Sequence, residues 1–106
     1  MIKEMTVTEL KKRIDQGNKP FLLDVREDNE VAAASLDFDM HIPLGDLTDD
    51  YTEIDKDAEI VIYCRSGGRS LRACEFLSDR GYTNLTNLKG GIHAWSDEID
   101  PSLPKP

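Results

Sequence analysis

Residues 59–71 read Glu-Ile-Val-Ile-Tyr-Cys-Arg-Ser-Gly-Gly-Arg-Ser-Leu, and the change of pattern within them decides the architecture. Ile60-Val-Ile-Tyr63 is a short apolar run of β-branched and aromatic residues, the composition of a buried strand. A basic, glycine-containing loop follows. Leu71, Cys74, Phe76 and Leu77 then recur at helical spacing until Arg80-Gly81 supplies a stop.

The same alternation extends outward in both directions. Upstream, Thr6-Val-Thr-Glu9 matches a capping box ahead of Leu10 and Ile14, which predicts a helix over 7–16 closed by Gly17-Asn18. Phe21-Leu-Leu-Asp-Val25 reads as a buried strand, residues 27–35 as a helix, and Met40-His-Ile-Pro43 as a brief strand ended by proline. Pro43 then starts a short helix through Leu47, and residues 48–58 form a polar, acidic surface connection. Downstream, Asn84-Leu-Thr-Asn-Leu88 reads as a strand, Gly90-Gly91 as a turn, and Ile92, Trp95 and Ile99 as one face of a final helix. Pro101, Pro104 and Pro106 make the tail at about 100–106 non-helical. Strands alternating with helices imply an α/β fold with a mostly parallel central sheet of about five strands, flanked by helices on both faces. Ligands of such sheets gather beyond the carboxyl ends of strands, where the loop after Tyr63 lies.

The 106 residues are expected to form one domain, 1–106. A net charge of −8 argues against nonspecific binding to nucleic acid or anionic membrane, which draws on excess lysine and arginine. The acids crowd residues 46–59, while Arg65, Arg69 and Arg72 lie in a stretch without carboxylates, so the global charge hides a local positive site. No apolar stretch reaches membrane-spanning length and the first residues lack a signal-peptide core, which makes the cytoplasm the expected compartment. Cys64 and Cys74 would be roughly 15 Å apart along a helix, too far for a disulfide; the expectation is one exposed thiol and one packed thiol.

Cys64 is the candidate nucleophile. At the carboxyl end of a strand, with the N–H groups of residues 65–70 curling round it and a helix pointing its positive end there, its thiolate is favoured over the thiol. Gly67 and Gly68 permit the tight curl. Arg65, Ser66, Gly67, Gly68, Arg69 and Ser70 are accordingly the candidate substrate-binding residues. Arg65 suits an anionic donor, whereas Arg69 suits either the donor or a carboxylate that braces the loop. Cys74, on the apolar helix face, is expected to pack. His41 and His93 sit in no metal-ligand pattern, so no metal site and no cofactor is expected. Asp24, a carboxylate inside a buried strand, needs donors, and Trp95 is read as core.

Taken in order, Leu22-Leu-Asp-Val-Arg26 with Glu30, His41-Ile-Pro-Leu44, Ile60 to Ser70, and Leu88-Lys-Gly-Gly-Ile-His-Ala-Trp95 resemble the single-domain rhodanese-like sulfurtransferases over nearly the whole chain. The resemblance implies a rhodanese-like fold in which Cys64 accepts a sulfane sulfur as a persulfide and passes it to a nucleophile. It implies thiosulfate or a protein persulfide as donor. The carboxyl-terminal segment resembles rhodanese domains fused to adenylyltransferases that serve small carrier proteins, so a sulfur-carrier protein is a candidate acceptor. One departure stands out: where the family often has Gly-His-Ile-Pro-Gly-Ala, this chain approaches His41 through Ala34-Ser-Leu-Asp-Phe-Asp-Met40.

Two competing readings are weaker. Cysteine-dependent phosphatases and arsenate reductases resemble a pattern of Cys, five residues, Arg, but Arg69 follows Cys64 after four, and Ser70 occupies the required position. A loop one residue shorter has one fewer inward amide and less room for a tetrahedral oxyanion. An inert interaction module of the same fold usually lacks the cysteine, which is present here.

Overall fold

The computed structural model describes residues 2–105, so Met1 and the expected non-helical Pro106 lie outside the described residues. The chain runs β1 (Lys3–Met5), α1 (Val7–Asp15), β2 (Phe21–Asp24), α2 (Asp28–Ala33), β3 (Met40–His41), a 3-10 turn at Leu44–Asp46 leading into α3 (Leu47–Asp50) and a second 3-10 turn at Tyr51–Glu53. It continues through β4 (Ile60–Tyr63), α4 (Gly68–Asp79), β5 (Leu85–Leu88) and α5 (Gly91–Glu98). The five strands pair in the order β1-β5-β4-β2-β3, and every pairing is parallel.

The period of two along β4 divides the core. Ile60 and Ile62 face one layer with Leu77, Ala73 and Cys74 of α4, while Val61 and Tyr63 face the other with Leu10 of α1 and Ile92 of α5. All four β4 residues are buried, as a central parallel strand covered on both sides requires. Helix α1 starts where Thr6 caps it, its Oγ1 accepting the Glu9 N–H at 3.1 Å. From β2 the chain moves outward to β3, and from β4 it moves the opposite way to β5, so the sheet reverses direction between β2 and β4. That switch point opens a crevice at their carboxyl ends.

Three sequence expectations change. The segment 48–58 is not a plain surface connection, because Leu47, Tyr51 and Ile54 recur at helical spacing and turn inward. Tyr51 packs edge-on against Phe76 at 5.4 Å, and the Tyr82 hydroxyl lies 2.9 Å from the Tyr51 carbonyl and 2.8 Å from that of Ile54. Leu71 is not on the apolar face of α4. The buried stripe is Ser70, Ala73, Cys74 and Leu77, which leaves Leu71 41% exposed. Finally, β1 is an edge strand of three residues that carries no β-rich run and is visible only through its register with β5, Lys3 opposite Thr86.

The departing segment before His41 closes the end of the sheet. Ala34 and Leu36 are buried, the Leu36 N–H donates to the Tyr63 hydroxyl at 3.1 Å, and Asp39 accepts the Leu22 N–H at 2.8 Å.

Candidate active site

Directly after β4, the chain turns through Cys64–Gly67 and enters α4 at Gly68. Gly67 caps the helix with φ +116°, a left-handed conformation that L side chains rarely adopt. This turn folds the loop back over its own cysteine. The Gly67 N–H donates to Cys64 Sγ at 3.1 Å, and the Ser70 hydroxyl lies 3.3 Å from the same sulfur. Burial pushes the Cys64 thiol up, but the Ser70 hydroxyl and the N–H groups of Ser70, Gly67 and Ser66 more than offset it, and the pKa falls below the ordinary thiol value. Of the six amides expected around the sulfur, that of Gly67 makes the hydrogen bond to it. Cys74 shows the contrast: burial, with Glu75 and Cys64 adding to it, pushes its pKa up to about 12.

Both cysteines are free, yet the expectation of one exposed thiol is wrong. Cys64 is 1% exposed because the turn that brings the amides to the sulfur also covers it. Above it lies an open pocket of about 460 Å³ lined by Cys64, Arg65, Ser66, Gly68, Arg69 and Arg72. Of the sequence-predicted residues, Arg65, Ser66, Gly68 and Arg69 therefore form the wall, while Gly67 and Ser70 hold the sulfur from the side and beneath. Arg72, one turn further along α4, completes the positive rim.

The loop is held from three directions. Arg69 forms a two-point ion pair with Glu30 of α2, Nη1 to Oε1 at 2.7 Å and Nη2 to Oε2 at 2.8 Å. Glu30 also accepts the Glu27 N–H, closing a capping box that starts α2. Behind the loop, the first amides of α5 bind the loop carbonyls: Ile92 N–H to Cys64 O at 3.0 Å and His93 N–H to Arg65 O at 3.1 Å. A Cβ on Gly91 would stand 2.3 Å from Cys64 O and 2.7 Å from Arg65 O, so the approach needs glycine. From below, Asn87 of β5 donates through Nδ2 to Gly67 O at 3.2 Å and accepts the Ser70 hydroxyl on Oδ1 at 2.5 Å.

Asp24 finds its donors in Arg26. The pair is wholly buried at 2.9 Å, Arg26 also donates to Ala34 O at 2.7 Å, and the guanidinium lies 5.5 Å from the Tyr63 ring centroid. His41 donates through Nε2 to Arg26 O at 2.6 Å, which binds β3 to the end of β2. Neither belongs to the pocket. Sequence reading missed His93, whose Nε2 accepts from Arg65 Nε at 3.1 Å, and Asn87. A polar residue in the middle of the fully buried strand Leu85-Thr-Asn-Leu88 was the available signal for the latter.

Residues 6–98 match the family model described as Rhodanese-like domain. The chain is 40% identical over 94% of its length to a Bacillus subtilis (strain 168) protein provisionally named sulfurtransferase YtwF, covering 96% of that protein. It is 36% identical over 91% of its length to a protein of Allochromatium vinosum named sulfurtransferase, covering 90% of it. The crystal structure of a rhodanese-related protein from Thermoplasma volcanium superposes with a TM-score of 0.83 at 29% identity, covering 98% of this chain and 99% of that one.

Proposed function

Since this chain belongs to the rhodanese-like family, we propose that it is a sulfurtransferase, a single domain spanning residues 1–106, in which Cys64 carries the sulfur between a sulfane donor and a nucleophilic acceptor. The observation that supports this most directly is a sulfur that receives the Gly67 N–H at the foot of an arginine-lined pocket. Thiolate there attacks the outer sulfur of thiosulfate. A new S–S bond forms, the donor's S–S bond breaks, and sulfite leaves with the electron pair. The terminal sulfur of the Cys64 persulfide is anionic, and the loop amides and the helix end stabilise it as they would an oxyanion. An acceptor thiolate then takes the terminal sulfur and regenerates the Cys64 thiolate. The exchange balances in charge and electrons with no metal or organic cofactor.

Arg65 and Arg72 attract the donor's sulfonate, whereas Arg69, engaged by Glu30, braces the cradle. A protein persulfide is the alternative donor, since the pocket is open, and a small sulfur-carrier protein is the alternative acceptor. The chemistry suits the reducing cytoplasm, where Cys64 stays a thiol; among the described residues no helix is long and apolar enough to cross a membrane.

The test is mass spectrometry after incubation with thiosulfate. The intact protein should gain one sulfur, mapped to Cys64, and the gain should disappear in Cys64→Ser. Sulfur on another residue, or transfer retained by Cys64→Ser, would overturn the proposal.

A further inference from the structure

The hydrogen bonds beneath Cys64 contain one proton too few to serve both of their acceptors at once. Ser70 is fully buried between Cys64 Sγ at 3.3 Å and Asn87 Oδ1 at 2.5 Å, and its hydroxyl has a single proton to give. The orientation of the Asn87 amide is set by a third group. Nδ2 donates to Gly67 O at 3.2 Å, and a flipped amide would set two carbonyl oxygens against each other there. Oδ1 therefore points at Ser70 and takes its proton. With that proton committed, Ser70 can only accept from Cys64, so the chain that these positions imply runs S–H to Oγ–H to Oδ1 and belongs to the thiol. A thiolate reverses the first link: Ser70 must turn and donate to sulfur, and Asn87 Oδ1, 4% exposed with its residue, loses its donor.

We infer that Asn87 is a positioning residue that holds the Ser70 proton away from Cys64 while the cysteine is a thiol and yields it when the thiolate forms. Ionisation breaks only the S–H bond. The proton leaves to solvent through the pocket, and the Ser70 hydroxyl rotates about its Cβ–Oγ bond from Asn87 to sulfur. The remaining charged or titratable groups near Sγ are Arg65, Arg69 and Arg72 around the pocket and Cys74 on α4, with Glu30 reached through Arg69 and His93 through Arg65. None of them contacts Ser70 or Asn87 by hydrogen bond, so the switch is separable from them. Its effect is a cradle that stabilises the thiolate yet keeps a competing arrangement for the resting thiol, which limits alkylation and oxidation of Cys64 between turnovers.

This inference rests on Cys64 as the reactive group but not on any sulfur donor, so its test is read without one. The thiol pKa is measured from thiolate absorbance and from the pH dependence of alkylation by iodoacetamide, with Cys74 replaced by alanine so that one thiol reports. Asn87→Leu should lower the Cys64 pKa by about one unit, a tenfold rise in thiolate below the pKa, which corresponds to one neutral hydrogen bond. Ser70→Ala should raise it, and in that background Asn87→Leu should have no further effect. An unchanged or raised pKa in Asn87→Leu, or an equal shift with and without Ser70, would overturn the inference. A second readout needs no variant at these positions. In the otherwise native protein the Asn87 side-chain amide resonances should inflect at the pH where Cys64 ionises, and a flat profile would refute the switch. Failure of either leaves the transfer reaction standing, and failure of sulfur loading leaves the proton switch standing.

Discussion

At the scale of single residues, the site depends on Gly91, which does no chemistry, and is independent of Cys74. Gly91 has φ +56° and sits with its Cα against the loop carbonyls, so Gly91→Ala forces a Cβ to within 2.3 Å of Cys64 O. The variant should lose about 3 kcal/mol or more of stability in urea unfolding, because both the backbone conformation and the loop contact are violated. Cys74, whose raised pKa keeps it a thiol, is the opposite case. Cys74→Ala should cost about 1–2 kcal/mol through the small cavity it leaves, while sulfur loading of Cys64 in the mass-spectrometric assay stays unchanged. Cys64 itself was legible in the sequence because a lone cysteine between a β-rich run and a glycine-containing basic loop has few packing explanations. Its burial was not legible. That follows from how far the left-handed Gly67 lets the backbone turn back, and sequence spacing gives no angle.

At the scale of elements, the cradle is assembled by α2, α4 and α5, which are remote in sequence. The Arg69–Glu30 pair joins the first two, and its hydrogen bond outweighs burial in lowering the Glu30 pKa to about 2. A carboxyl group whose folded pKa lies below its unfolded value of 4.5 adds stability that is fully present above that value and is lost as the pH falls toward 2. Glu30→Gln should therefore be less stable than the native protein by about 2 kcal/mol at pH 7, between the values of exposed and buried pairs. Denaturant titrations at several pH values should show the gap closing between pH 4.5 and 2; a constant gap would mean that the ion pair is not its source. Periodicity found nearly every helix and the three inner strands, since each has its own apolar face, while the proline of Met40-His-Ile-Pro43 marked the two-residue edge strand β3. It missed β1, whose three residues owe their strand conformation to β5, and it missed the helical turns at 47–53, where acidic residues mask Leu47, Tyr51 and Ile54.

At the scale of the whole molecule, charge is the property that bears on function. The chain has a net charge of −8, yet Arg65, Arg69 and Arg72 surround the pocket, so a dianionic donor such as the proposed thiosulfate would meet repulsion at long range and attraction close to the site. Within about 10 Å, the Debye length at 0.1 M salt, the local field governs capture. Sulfur transfer from thiosulfate should fall in kcat/KM as sodium chloride is raised, and Arg72→Glu should lower it further without moving the unfolding midpoint. A rate that rises with salt would show that the net charge dominates. The sequence by itself determined the α/β layering, the mostly parallel sheet and the placing of a cysteine ahead of a basic, glycine-containing loop, because those are written in local periodicity and in adjacent residues. Only the tertiary structure decided which groups hold that loop. Glu30, Asn87 and Gly91 lie 34 residues before Cys64 and 23 and 27 after it, and the order and register of the strands, which no local pattern encodes, set them against one loop.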